Sequence, residues 1–464
     1  MKTMTRWAGL RLVACALMAL CTRGTLSAQQ PAGDVPLVLR HVTVIDGTGA
    51  PPMADRSVLI AGGRVASITP SSSAIPRGAY VLDLPGHYVI PGLIDAHVHL
   101  TNPFVSAAQQ DSISALLFQG GVTAVRDMAG DAVVLSRRAG AAENATVPSP
   151  RIRFSAMMAG ASFIEADPRL ASIAHGLTPG QAPWIRTISG ETDLRLAVEA
   201  ARWTGATGLK LYADLGPDLV AGITREAHRQ GMKVWGHAEI FPAQAMDAVA
   251  AGVDGLSHVH LLGLEPASPF PLTYAAAPRS LDFSSLSVDA GEITRLLAAM
   301  LAAGTTFEPT LYWTEKTGRR VEQDSARRHL WKMREWSYAL IRRAHEMGIP
   351  IVAGTDLMGW PATDSLPYLH DELELLVTRA RLSPLQAIRS ATSVNAAVLG
   401  MERDHGTVEP GKVADLLVLR ADPTGDIRNT RSVRYILKAG RVHERSWPGG
   451  IDAVATASAA VAGP

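Results

Sequence analysis

Two histidines close the run Pro91-Gly92-Leu93-Ile94-Asp95-Ala96-His97-Val98-His99. Residues i and i+2 of a strand face the same side, so His97 and His99 could hold one metal ion from a strand end. They could equally be two unrelated histidines of a half-buried strand. Lys210 lies in the apolar run Thr207-Gly208-Leu209-Lys210-Leu211-Tyr212. A lysine is almost never fully buried unless it is paired or modified. Carboxylation by carbon dioxide would make its amine an anionic carbamate able to bridge two cations; a lysine at a strand end could also simply reach water. His237 ends the strand Lys233–Gly236, and His258 follows Gly255-Leu256-Ser257. Neutral imidazoles alongside oxygen ligands suit zinc. A lone histidine is more often an ordinary polar residue, which is the reading given to His228 and His260. Asp356 closes Ala353-Gly354-Thr355-Asp356, where a carboxylate is either a helix N-cap or a metal ligand and base. The joint pattern decides. Two His, a Lys, two more His and an Asp all fall at the C-terminal ends of predicted strands, in chain order.

The elements that would position them fall into two patterns. Residues 36–90 and 404–446 contain short β-rich runs separated by Asp-Gly, Pro-Pro and Gly-Gly turns, such as Val42-Thr43-Val44-Ile45 and Leu416-Leu417-Val418-Leu419. Gly-Arg-Val occurs in both pieces, at 63–65 and 440–442. They are expected to pair in one small β-sandwich domain. Between them, over 91–403, short apolar strands alternate with amphipathic stretches at 191–204, 217–230, 289–303 and 325–347. That repeat predicts an α/β fold, a distorted (β/α)8 TIM barrel. Long loops at 159–190 and 263–288 follow predicted strands. Both should lie on the C-terminal face, where such barrels bind substrate.

The 464 residues are 47% hydrophobic and 19% charged, enough apolar material for a large core. Lys+Arg is 44 and Asp+Glu is 43, a balance that argues against a nucleic-acid partner. No apolar run has the roughly 20 residues of a membrane-spanning helix. Residues 1–28 read as a secretory signal peptide: Lys2, Arg6 and Arg11, then the apolar run Leu12–Leu20, then Leu26-Ser27-Ala28. Cleavage after Ala28 would remove Cys15 and Cys21, so the exported chain, periplasmic or secreted, would have no disulfide to staple it. Lipid anchoring at Cys21 ranks second, because Met18-Ala19-Leu20 is a poor lipobox. The Ala/Gly-rich tail 447–464 is expected to fray.

The chain resembles the amidohydrolase superfamily, in its imidazolonepropionase-like and Xaa-Pro dipeptidase branch. The matching stretches are PGLIDAHVH (91–99), GVTAVRD (121–127), GLKLY (208–212), GHA (236–238), GVDGLSH (252–258), AGTD (353–356), SPLQAIRSAT with VNAA (383–397) and GTVEPGKVADLLVL (406–419). Departures are Ser257, where relatives often carry Glu, and His87, where Lys is common; neither is a ligand position. The resemblance implies a binuclear centre of two divalent ions, zinc by default. His97, His99 and Asp356 would hold the buried ion and His237 and His258 the exposed one. Lys210, as N6-carboxylysine, and a hydroxide would bridge them. Asp356 would be general acid and base. Tyr212, on the face of Lys210, is either a substrate-binding residue or barrel packing. Arg153 and Arg186 are further candidate partners for a substrate carboxylate, and His370 is expected to orient a loop. The implied activity is hydrolysis of an amide bond in a small molecule, an Xaa-Pro-like dipeptide or an N-acyl amino acid. The alternatives are a cyclic amide, lactone or phosphotriester at the same centre, or a non-catalytic binder. A homo-oligomer is left open. No Gly-x-Ser-x-Gly, phosphate loop or His-Glu-x-x-His is present.

Overall fold

The computed structural model describes residues 35–278, 281–319, 329–358 and 367–445. The expected signal peptide and the tail from 447 lie outside the described residues. Eight parallel strands curl into a barrel: Leu93–His99, Val122–Asp127, Arg151–Ala159, Gly208–Leu211, Lys233–His237, Gly255–Ser257, Thr306–Glu308 and Leu357–Met358. Each of the first six pairs with the next in sequence order, and the eighth pairs with the first. The segment before the eighth strand closes the ring. A bridge links Phe307 to Ile351, and Val352 N–H donates to the Phe307 carbonyl at 2.9 Å. Val122–Asp127 is buried at every position, as a parallel strand covered on both faces must be.

The surrounding helices follow from sequence. Asp193 caps Leu194–Trp203, its side chain accepting from Leu196 N–H at 3.0 Å. Pro217 starts Pro217–Arg229, which buries Val220, Ile223 and Ala227 at helical spacing. The loop expected at 159–190 carries more structure than a loop. It holds the short helices Ala161–Ala166 and Leu170–Ile173 and a small hairpin whose strand Ile185–Thr187 pairs with the third barrel strand.

Both chain ends meet in one seven-stranded sheet with its own core. Its central strand, Tyr80–Pro91, runs parallel to Leu37–Val44 and antiparallel to Leu416–Leu419. Alternate residues Leu37, Leu39, Val58, Ile60, Leu416 and Val418 are buried together. The two Gly-Arg-Val tips meet at Ala414: its N–H donates to Gly63 O (2.9 Å), and its carbonyl accepts from Gly440 N–H (3.0 Å).

Asp415 ties this sheet to the barrel. Its carboxylate accepts from Arg151 Nε on the third barrel strand (2.8 Å), lies 3.2 Å from His405 Nδ1 and accepts Ala439 N–H at 2.6 Å. Burial alone would raise its pKa; His405 and Arg151 outweigh burial and hold it at about 2. A carboxylate depressed on folding stabilises the fold above its unfolded pKa and loses that contribution as pH falls through the folded one. Asp415→Asn is therefore expected to cost roughly 2 kcal/mol at neutral pH. It should also flatten the acid loss of stability between pH 3.8 and about 2, read by chemical denaturation across that range.

Candidate metal centre

The barrel strands end around a cavity of about 260 Å³. Its wall includes His97, His99, Lys210, Tyr212, His237, His258 and Asp356, so every expected site residue faces one space. His97, His99 and Asp356 each offer a ligand atom, and these atoms lie within 4.8 Å of one another. Asp356 Oδ1 is 3.2 Å from His99 Nε2 and 3.5 Å from His97 Nε2. The His237 and His258 rings are 4.7 Å apart between centroids, and His97 and His258 are 5.0 Å apart.

The histidines are aimed by groups behind them. His97 Nδ1 donates to the buried Glu308 carboxylate. His237 Nδ1 faces the Glu239 carbonyl (3.4 Å) and His258 Nδ1 faces Thr310 Oγ1 (3.1 Å). With Nδ1 engaged in each, Nε2 is the atom left for the cavity, the usual arrangement behind a metal-binding imidazole. Gly354 makes room for this: a Cβ there would stand 2.8 Å from His97 Cβ and 3.2 Å from the Glu308 carboxyl. Asp95 joins the first strand to the Asp356 segment, accepting His97 N–H (3.1 Å), Thr355 N–H (3.1 Å) and Thr355 Oγ1–H (2.7 Å). From the far end of the barrel, the Asn395 side-chain amide donates to the Ile94 and Ala353 carbonyls, both at 2.7 Å.

The electrostatics suit cations. Burial pushes the imidazoles of His97, His237 and His258 below their ordinary range, so they are neutral and able to ligate. Burial would raise Asp356, but His99 and His97 hold it ionised. Lys210 is 1% exposed and its Nζ has no hydrogen-bond partner. Desolvation lowers it to about 8, so far more free amine is available near neutrality than for an ordinary lysine, and the free amine is the form that captures carbon dioxide. A partnerless buried amine flanked by converging imidazoles and a carboxylate is a donor set that fits a divalent metal centre.

Three residues in or behind the cavity wall were not legible from spacing. Glu308 ends the seventh barrel strand and also receives Arg126 Nη2; burial would raise it, yet His97 and Arg126 keep it below the usual glutamate range. His260, read as ordinary, lines the cavity, stacks on Trp313 at 4.7 Å and leaves its Nδ1 without a partner. Arg169 reaches the cavity from the loop after the third strand. The arginines singled out from sequence do not line it. Arg153 pairs with Glu143 (3.4 Å), and Arg186 donates to the Gln181 carbonyl (3.3 Å). Both side chains are partly exposed and bonded away from the cavity, a fact that strand periodicity alone does not reveal. His370 is away from the cavity, between Thr430 Oγ1 (2.9 Å) and the Gly120 carbonyl (2.8 Å). Tyr212 lines the cavity with its ring stacked between Phe163 (4.5 Å) and His237 (4.7 Å).

The barrel, the accessory sheet and the His-His-Asp group define a metal-type barrel hydrolase. Residues 88–443 match the amidohydrolase family, and the chain belongs to it. Similar proteins include the imidazolonepropionase of Cereibacter sphaeroides, 26% identical over 84% of this chain and 94% of that one. That of Salinispora arenicola is 27% identical over 86% and 91%. Among solved structures, a Xaa-Pro dipeptidase with bound methionine aligns over 88% of this chain and all of its own, with a TM-score of 0.69 and 22% identity. An A. niger ochratoxinase aligns over 90% and 97%, also at 0.69, with 20% identity. The chain is thus a hydrolase of the class that acts on carbon–nitrogen bonds.

Glu308→Gln removes the charged acceptor behind His97 while keeping its shape. It is expected to weaken metal affinity 10–100-fold, measured by chelator competition, with little change in fold by circular dichroism.

Proposed function

We propose that this protein is an exported, binuclear metal-dependent hydrolase of an amide bond in a dipeptide, Xaa-Pro-like, or an N-acyl amino acid. The observation that carries this reading is the convergence of His97, His99, Lys210, His237, His258 and Asp356 on one cavity, with Lys210 Nζ partnerless. In this reading His97, His99, His237, His258, Asp356 and a carboxylated Lys210 would together hold the two ions. Two such ions, zinc by default, would supply a water-derived nucleophile at neutral pH and positive charge for a developing oxyanion.

The chain's own groups do the rest. Asp356 accepts the proton of the attacking water and delivers it to the leaving nitrogen. Its place against both His97 and His99 keeps it ionised until then. Tyr212 is held rigid by stacking on both faces, so its hydroxyl can hold a substrate oxygen at low entropic cost. Leu170, Ile173, Leu261, Trp313 and Met358 make part of the wall apolar, which excludes water and suits an apolar acyl or side-chain group. A second reading, hydrolysis of a cyclic amide, draws on the imidazolonepropionase relatives.

Metal content tests the centre. About two equivalents per chain are expected from protein purified without chelator; one equivalent would remove the bridging lysine, and none after zinc supply would remove the enzyme reading. Lys210→Ala is expected to lose metal and to regain part of its activity with a short carboxylic acid. Asp356→Asn should keep much of its metal yet lose at least about 100-fold in kcat, and near-normal turnover would displace it as the base. Export is tested by N-terminal sequencing of the mature protein, which is expected to begin at Gln29.

A further inference from the structure

Five rings that line the cavity follow one another along its wall. Successive centroids from Tyr212 through His237, His258 and His260 to Trp313 are 4.7, 4.7, 6.2 and 4.7 Å apart. The metal-centre reading leaves the far end of this series, His260 on Trp313, without a task. The two rings stack within 17° of parallel. Neighbouring strand ends bring them together. His258 N–H donates to the Glu308 carbonyl at 2.9 Å and Val259 N–H to the Pro309 carbonyl at 3.3 Å. This lays the short turn Val259–Leu264 beside the start of the helix Leu311–Arg319. The buried Glu372 carboxylate accepts Leu311 N–H (3.1 Å) and Tyr312 N–H (2.6 Å), so the turn that carries Trp313 is fixed from behind.

His260 is built unlike the histidines of the centre. His97, His237 and His258 each have Nδ1 engaged by an oxygen behind the ring. His260 Nδ1 is buried without a partner, and Trp313 is what holds the ring. A metal-binding imidazole is normally oriented through its second nitrogen, so this ring is oriented for contact instead. Burial pushes its pKa down to about 4, and a neutral imidazole offers one donor and one acceptor. Stacked rings favour a further aromatic ring beside them. We propose that His260 and Trp313 form a specificity subsite for the acyl half of the substrate, and that they read it as an aromatic ring carrying a neutral hydrogen-bonding group such as a hydroxyl. The inference rests on the amide-hydrolase reading and narrows its substrate class. The leaving amine of an Xaa-Pro-like substrate is a saturated ring with no planar face, so the platform serves the acyl half, on the side of the centre away from Tyr212. Leu261 and Met358 add apolar wall, and a hydrogen bond shielded from water is the stronger for it.

Binding of the acids that correspond to the acyl half separates the subsite from catalysis. Benzoate, 3-hydroxybenzoate, 4-hydroxybenzoate and cyclohexanecarboxylate would be titrated into the metal-loaded protein by calorimetry. Wild type is expected to bind at least one hydroxybenzoate roughly three- to tenfold tighter than benzoate, the span of one neutral hydrogen bond. Benzoate should in turn bind tighter than the non-planar cyclohexanecarboxylate. His260→Phe keeps a ring on Trp313 and deletes both nitrogens. It should abolish the hydroxyl preference and retain the ring preference, with metal content and melting temperature unchanged. Trp313→Leu should lose the ring preference. In kinetics, His260→Phe should raise KM for N-(hydroxybenzoyl)-L-proline with a much smaller change in kcat. Equal binding of hydroxybenzoates and benzoate by wild type, binding of no acid, a hydroxyl preference that survives in His260→Phe, or a ring preference that survives in Trp313→Leu would each overturn the subsite. Absence of cleavage of every N-aroyl amino acid, with the binding preferences intact, would instead remove the amide-hydrolase reading and leave the subsite standing.

Discussion

The Glu308 carboxylate, buried between His97 and Arg126, is the contact on which the site's geometry rests. An unpaired carboxylate at that depth would be costly or would protonate; two donors keep it ionised, and its charge in turn fixes the His97 ring. Arg126 is itself held. Its Nε donates to the Ala96 carbonyl at 2.6 Å, and its guanidinium lies 4.1 Å from the Trp235 ring. One polar column therefore joins the first, second, fifth and seventh barrel strands behind the cavity. Remove a member and a buried charge is left without a partner, so the column gives the interior a single arrangement. Hydrophobic packing takes over below it, where Ile94, Ala124, Trp235, Val352 and Leu399 close the barrel floor.

The front of the site shows a second constraint. His258 and Asp356 both have left-handed backbone, with φ of 73° and 52°, and Thr310, which faces His258, has 51°. Non-glycine residues enter that region at a cost of about 1–2 kcal/mol each. The turn re-aims a side chain that would otherwise continue along its strand. Strand continuation places residues on the barrel wall; the left-handed step moves two of them over its rim. Packing elsewhere in the barrel offsets that strain.

Much of this was legible in the sequence, and for identifiable reasons. Strand periodicity puts His97 and His99 on one face, and an apolar run isolates Lys210, so residue type alone flags them. The same logic applies less well to Glu308: its strand Thr306-Phe307-Glu308 is short and not apolar, and Pro309 after it suggests a loop and hides the signal. Arg169 had none. Its neighbours Asp167 and Pro168 read as a turn, and a loop arginine points wherever its tertiary partners place it. Arg153 and Arg186 fail for the converse reason, since charge in a β-rich stretch says nothing about which side of the sheet meets water. Asn395, in the Val394-Asn395-Ala396-Ala397 stretch, shows a motif residue whose task is to clamp two strands at the floor.

The shared sheet has a bearing on how the chain comes to fold. Tyr80–Pro91 needs partners on both sides, and one of them, Leu416–Leu419, is synthesised more than three hundred residues later. Until then the early strands carry an open edge with unpaired amides and carbonyls, the kind of template that recruits other chains. Long-range pairing of this type is slow, because loop closure must precede any gain from contact. Arg151 and Asp415 make the dependence reciprocal, since the barrel's third strand finds its buried counter-ion only on the last part of the chain. A chain lacking that part would thus leave both the edge of Tyr80–Pro91 and the Arg151 guanidinium without their buried partners.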